Sequence, residues 1–263
     1  VTDPQAPDAA RLWIGTSWKM NKGLAESRGY ARGLADHVTA TALPGVQPFV
    51  IPSFTALTTV REELGADSPV LLGVQNAHWD DEGAWTGEVS VAQAKDAGAQ
   101  LVEIGHSERR EHFGETVETT RLKVAAALAH GLTPLLCIGE SADTKSAGES
   151  SRFILDQAAG ALDGLTDGQL GRVLIAYEPI WAIGEHGRPA TVEELRAPFA
   201  DLHREYGGRT RGLLYGGSVN LDNAEELLGI DHVTGLFVGR AAWQLPGYLR
   251  LLAMAARHPK AAA

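Results

Sequence analysis

Short apolar, β-branched runs recur along the chain at Leu12–Gly15, Phe49–Pro52, Val70–Val74, Leu101–Ile104, Thr133–Ile138, Val173–Ala176, Gly212–Leu214 and Leu236–Val238. Each predicts a strand. Between most of them, apolar positions recur at helical spacing over Ala25–Val38, Val117–Ala129, Ser151–Leu162, Val192–Tyr206 and Asn220–Leu228. Thr191 before Glu193 and Glu194, and Ser90 before Ala92, predict helix starts. Gly131 and Gly229 predict C-caps. Alternating strands and helices imply parallel strands joined by crossover helices. No linker or low-complexity block divides the chain. An open doubly wound sheet is the main rival, and eight strands favour closure into a single (β/α)8 barrel over residues 11–263.

Composition narrows this picture. A chain of 263 residues that is 44% hydrophobic and 21% charged can bury one large core. Its net charge of −10 argues against a nucleic-acid surface, so any anion must be drawn by local groups. The single Cys137 lies in an apolar run, which predicts a buried, inert thiol, no intramolecular disulfide and a reducing cytoplasm. No apolar stretch approaches the roughly 20 residues that span a bilayer. Val1–Ala10 is polar and proline-containing, unlike a signal peptide, and predicts a flexible tail.

The residues with chemical potential fall where predicted strands end. Glu178 precedes Pro179 and the apolar segment Ile180–Gly184; a flap closing there would exclude water and raise the basicity of the carboxylate. An isolated loop glutamate is more often merely solvated. His106 precedes the polar helix start Ser107-Glu108-Arg109-Arg110, whose free N–H groups would depress an imidazole pKa. No HExxH or CxxC spacing accompanies any histidine, so no metal site is expected. Lys19, between Trp18 and Met20, is either a snorkelling side chain or a fixed cation for a phosphate and a developing enediolate. Gly184, Gly216-Gly217-Ser218 and Gly239 lie in turns whose amides can cradle phosphate. In a barrel, the loops after the seventh and eighth strands are a frequent phosphate site.

Taken together, Trp18-Lys19-Met20-Asn21, Gly105-His106-Ser107-Glu108-Arg109-Arg110, Ala176-Tyr177-Glu178-Pro179 with Trp181-Ala182-Ile183-Gly184, and Tyr215-Gly216-Gly217-Ser218-Val219 resemble the triosephosphate isomerase family over almost the whole chain. The resemblance implies a cofactor-independent isomerase with Glu178 as base, His106 as neutral electrophile, Lys19 as electrostatic anchor and Glu108 as the partner of Lys19. It further implies a lid from Pro179 to about Thr191, a phosphate grip by N–H groups of Gly184, Ser218, Gly239 and Arg240, and a homodimer formed through the Gln75–Glu88 loop.

Several positions depart from that family's pattern. Ser17 stands where the family usually has Asn, and Arg240 where it has a second Gly. The lid Gly184–Thr191 is one residue longer and contains Pro189. Glu103 sits in a strand normally apolar at that point, and the sequence offers no physical account of it. Ser17 frees volume beside the reacting carbons, so this combination resembles the branch of the family that acts on tetrulose phosphates. The expected reaction is L-erythrulose 1-phosphate to D-erythrulose 4-phosphate in erythritol catabolism. The alternative is interconversion of dihydroxyacetone phosphate and D-glyceraldehyde 3-phosphate. A non-catalytic sugar-phosphate sensor and a Schiff-base aldolase on Lys19 are weaker readings, because Lys19, His106 and Glu178 are all present.

Overall fold

The apolar runs pair in chain order. In the computed structural model, which describes residues 12–184 and 187–262, the strands are β1 (Leu12–Ser17), β2 (Val46–Ile51), β3 (Leu71–Val74), β4 (Leu101–Ile104), β5 (Thr133–Ile138), β6 (Leu174–Tyr177), β7 (Gly212–Tyr215) and β8 (Gly235–Val238). All pair in parallel, and β8 returns to β1 to close a barrel of eight strands. The predicted tail Val1–Ala10 lies outside the described residues. Among the described residues no helix is long and apolar enough to cross a membrane.

Alternation along each strand divides the core in two. Ile14, Val50, Leu72, Val102, Leu136 and Ile175 face the surrounding helices. Trp13, Phe49, Leu101, Leu135, Leu174, Leu214 and Phe237 fill the barrel interior. Phe49 centres that filling, with Phe237 stacked at 5.9 Å and Trp13 tilted at 6.3 Å. Each fully buried side chain of this size contributes about 1.5–3 kcal/mol. The barrel interior is therefore filled below its rim, and a cleft opens at the C-terminal strand ends.

Several boundaries differ from the sequence pattern for identifiable reasons. β2 begins three residues before the predicted Phe49. Pro48 masked this start, yet it is tolerated because Val46–Pro48 pairs only with β1, and pairing with β3 begins at Phe49. The helix predicted over Asn220–Leu228 runs from Ala224 to Gly229, since Asn220 Oδ1 accepts from the N–H groups of Asp222 and Asn223 and forms a turn first. Gly229 is not a C-cap: it is the last helical residue, and the chain leaves through extended Ile230. Gly131 does take the left-handed conformation (φ 80°) after the helix Val117–Ala129. Ser90 and Thr191 cap as expected, each within a capping box completed by Gln93 and Glu194. The helix Leu245–Arg257 escaped the sequence reading because Pro246-Gly247 looks like a turn, although proline suits a first helical turn.

Candidate active site

All nine residues singled out from the sequence, Ser17, Lys19, His106, Glu108, Glu178, Gly184, Ser218, Gly239 and Arg240, line one cleft of about 770 Å³ at the C-terminal end of the barrel. Glu178 is the residue after β6. Its N–H donates to Ile138 O (2.7 Å), which extends the β5–β6 ladder. Two glycines make room for it. A Cβ at Gly139 would meet Glu178 O at 1.9 Å, and one at Gly216 would meet Glu178 Cγ at 2.6 Å. The side chain is buried, and burial first, then the charge of Glu103, drives its pKa well above the ordinary carboxylate range. Lys19 is the nearby cation that opposes this shift.

His106 follows Gly105, whose φ of 76° turns the chain sharply out of β4 and requires glycine. That turn is fastened from outside the barrel. Gly105 N–H donates to Glu115 Oε1 (2.8 Å), Glu115 Oε2 accepts from Arg109 and Lys123 (2.8 Å each), and Arg110 Nε donates to Gly105 O (2.7 Å). His106 Nδ1 accepts from the backbone N–H of Glu108 at the start of the helix Ser107–His112 (3.2 Å). A neutral ring with Nδ1 as acceptor carries its proton on Nε2. Burial and the neighbouring Lys19 charge lower its pKa to about 4, so the ring is neutral at pH 7. Nε2 faces Glu178 Oε2 at 3.6 Å. A proton donor and a carboxyl thus stand on either side of one small space.

Lys19 has a left-handed backbone (φ 52°), a strained conformation for a residue with a side chain. It is held by Gln75 Nε2 donating to Lys19 O (2.9 Å) and by fully buried Trp18, which packs edge-on to Tyr30 at 4.9 Å. The expected apolar setting is half right, because Met20 is 97% exposed. Lys19 Nζ reaches Glu108 Oε1 at 2.6 Å. Burial alone would raise the pKa of Glu108, but this contact and the Lys19 charge outweigh it and lower the value.

The opposite wall is built from the lid and the last two loops. Pro179 is followed by a short 3₁₀ turn, Ile180–Ala182, anchored where Glu140 Oε1 accepts from Trp181 Nε1 (2.8 Å), Tyr177 Oη (3.1 Å) and Ser150 Oγ (3.0 Å). Sequence reasoning missed Glu140, which had no motif to mark it. Ser218 N–H donates to Ala182 O (2.8 Å), so in this conformation the amide is occupied by the lid rather than turned to the cleft. Arg240 Nη2 donates to Gly184 O (3.0 Å), and Arg188 pairs with Glu194 while lying over the Trp181 ring at 4.8 Å. Glu185 and His186, the centre of the lengthened lid, lie outside the described residues.

Glu103 has a definite place in this geometry. Leu101 points inward and Val102 and Ile104 outward, so Glu103 faces the barrel interior just below the rim. Cys137 is also inward and fully buried, and burial pushes its thiol pKa up, as an inert thiol requires. Among the described residues no group of His, Cys, Asp and Glu is arranged to hold a metal ion.

Comparison with known proteins bears on the family. The family described as triosephosphate isomerase matches residues 12–255. The chain is 83% identical over 263 residues to an L-erythrulose-1-phosphate isomerase of Mycolicibacterium smegmatis, covering 100% of both chains. It is 50% identical over 250 residues to an L-erythrulose-1-phosphate isomerase of Rhizobium rhizogenes, covering 94% of this chain and 95% of the other. It is 51% identical over 257 residues to a protein of the same description from Rhizobium meliloti, covering 94% and 97%.

Proposed function

The chain belongs to the triosephosphate isomerase family and is a sugar-phosphate isomerase; from that premise we propose that it converts L-erythrulose 1-phosphate to D-erythrulose 4-phosphate through an enediol(ate), without a cofactor. The observation that carries the substrate is the 83% identity over the full length to a relative described by that substrate. L-Erythrulose 1-phosphate is dihydroxyacetone phosphate with a hydroxymethyl group replacing one hydrogen on the carbon to be deprotonated, so the same constellation serves both.

In the proposed reaction, Glu178 removes the proton from C3, and electrons move into the C2 carbonyl. The Nε2–H of neutral His106 donates to the oxygen that gains charge and relays protons between the two enediol oxygens. Lys19 stabilises the developing negative charge. Returning the proton to C2 leaves the ketone at C3, which is erythrulose phosphorylated at its far end. The buried, high-pKa environment of Glu178 supports a strong base, and the 3.6 Å separation from His106 Nε2 supports two groups acting on adjacent atoms. Gly184, Ser218, Gly239 and Arg240 are proposed to hold the phosphate. Since the Ser218 amide is bonded to Ala182 O, closure of the lid would have to release it.

The enzyme is further proposed to work as a cytoplasmic homodimer through the Gln75–Glu88 loop. Trp85 in that loop is 49% exposed, while its indole donates to Asp80 (3.0 Å) and lies tilted against the His78 ring (4.6 Å), which supports an ordered apolar knob awaiting a partner. The deciding experiment is a side-by-side assay of the purified protein on L-erythrulose 1-phosphate and dihydroxyacetone phosphate. The expected outcome is a higher kcat/KM for the tetrulose phosphate. A preference of a hundred-fold or more for triose phosphates would remove the tetrulose assignment and leave a triosephosphate isomerase with an unusual lid.

A further inference from the structure

Ser17 Oγ, Glu103 Oε2 and Glu178 Oε2 are all buried without a hydrogen-bond partner. They come from the ends of β1, β4 and β6 and face the same inward space. Glu178 has its partner in the substrate to come. Ser17 and Glu103 have no part in the proton transfer, yet a buried carboxyl left unpaired costs free energy that a strand of apolar residues would avoid. Ser17 is close enough to Glu103 to favour its carboxylate form, and Lys19 and Glu178 share its electrostatic environment. Even so, neither Ser17 Oγ nor Glu103 Oε2 finds the other at bonding geometry. Ser17 lines the cleft and Glu103 is buried next to it, so the pair offers an unused donor and acceptor at the inward ends of β1 and β4, away from the phosphate loops.

We propose that Ser17 and Glu103 form a hydroxyl-binding subsite that receives the terminal hydroxymethyl group of a four-carbon ketose phosphate, Ser17 by leaving room and Glu103 by accepting the hydroxyl hydrogen. The inference rests on the tetrulose reading of the site and deepens it. The group that distinguishes a tetrulose from a triose phosphate is attached to the carbon facing Glu178. With the phosphate at the Gly184, Gly239 and Arg240 side, that group projects towards the inward ends of β1 and β4. A hydroxyl there meets Glu103 Oε2 and Ser17 Oγ, and the three unpaired groups satisfy one another. A triose phosphate leaves them unpaired, which is the basis of discrimination by a site built for a hydroxyl.

The test replaces Glu103 with an apolar residue of similar length, Glu103→Leu, and reads kcat and KM for L-erythrulose 1-phosphate beside the inhibition constant of 2-phosphoglycolate, which carries the phosphate but no fourth carbon. The expected result is a loss in kcat/KM of about 10- to 100-fold, carried mainly by KM. The inhibition constant should stay within about 3-fold, and Glu103→Gln, which can still bond a hydroxyl, should restore most of the loss. Unchanged kcat/KM, an equal loss of inhibitor binding, or a loss confined to kcat, as weakened Glu178 basicity would give, overturns the subsite while the tetrulose reading stands. A wild-type protein that does not convert L-erythrulose 1-phosphate removes both readings together. If Glu103→Leu does not fold, Glu103→Asp, which withdraws the carboxyl by one methylene, decides by the same comparison.

Discussion

A single methyl group at Gly216 tests whether turnover depends on where the Glu178 carboxyl stands. The Cβ of Gly216→Ala would lie 2.6 Å from Glu178 Cγ and 2.8 Å from Oε1, whereas non-bonded carbons settle at roughly 3.5–4.0 Å. The backbone cannot withdraw without loss, because Gly216 N–H is bonded to Tyr177 O (2.9 Å) in the β6–β7 ladder. The carboxyl must therefore shift by about 1 Å, and a displacement of that size costs on the order of 10² in rate. The fold bears only an over-packed methyl, about 1–3 kcal/mol. That lowers the melting temperature by a few degrees per kcal/mol, about 2–4 °C, in a domain of this size. Steady-state kinetics should show kcat reduced about 10²-fold with KM little changed, and circular dichroism melts should show a cooperative, folded protein. Gly229→Ala, where nothing stands within 4 Å of the new Cβ, is the control and should keep full activity. A Gly216→Ala enzyme within about 3-fold of wild type in kcat would refute the claim that the Glu178 position is decisive.

His106→Gln should lower kcat by on the order of 10²-fold or more, and exchange of solvent tritium into substrate should fall with it; normal exchange would separate His106 from the enediol. Ser17→Asn should reduce kcat/KM for L-erythrulose 1-phosphate more than for dihydroxyacetone phosphate, by roughly 1–3 kcal/mol in the ratio, and a ratio moving the other way would show that Ser17 does not make room for the fourth carbon. The pKa of Glu103 is raised by burial from 4.5 to about 7, so between those values the folded state binds more protons than the unfolded chain and stability falls as pH rises. Glu103→Gln removes that dependence and should gain on wild type in thermal melts at pH 8 relative to pH 4.5, with a ceiling of about 3 kcal/mol at ~1.4 kcal/mol per pH unit; equal differences at both pH values would contradict the buried-carboxyl account.

The barrel was legible because each strand declares itself by an apolar run and most crossovers by a period near 3.6. The motifs around His106, Glu178 and Gly216 mark strand exits directly. What the chain hid depends on parity and on contacts distant in sequence. Glu103 looked like an anomaly until the register placed it on the inward side of β4, the side on which Leu101 lies. Glu140 carries no motif, yet its carboxyl collects Tyr177, Trp181 and Ser150 under the lid hinge. The Ser218 amide looked like a free phosphate donor, and only the folded chain shows that it is bonded to Ala182 O. Pairings of this kind join residues 36 apart in the chain, and no local pattern encodes them.

A chain of net charge −10 that presents Glu108 and Glu178 to one cleft, with Glu103 buried beside Ser17 of the same cleft, is a poor host for a sugar phosphate unless those charges are silenced. They are silenced in two ways. Glu108 stays ionised but is neutralised by Lys19 at 2.6 Å. Glu103 and Glu178 are buried, and burial favours the protonated form of each, with the charge of Glu103 adding to the shift in Glu178. That arrangement lowers the repulsion felt by an arriving phosphate, but it sets a compromise for the proposed proton transfer: as the proposed base Glu178 would have to be ionised, and the burial that strengthens a base also reduces the fraction ready to act. Lys19 opposes the shift in Glu178, which would give the strained backbone at φ 52° a use beyond its proposed role with the substrate. Placing the ammonium there favours the carboxylate at the position proposed for the base, while His106, held near pKa 4 by burial and by the same ammonium, remains a neutral donor across the 3.6 Å gap.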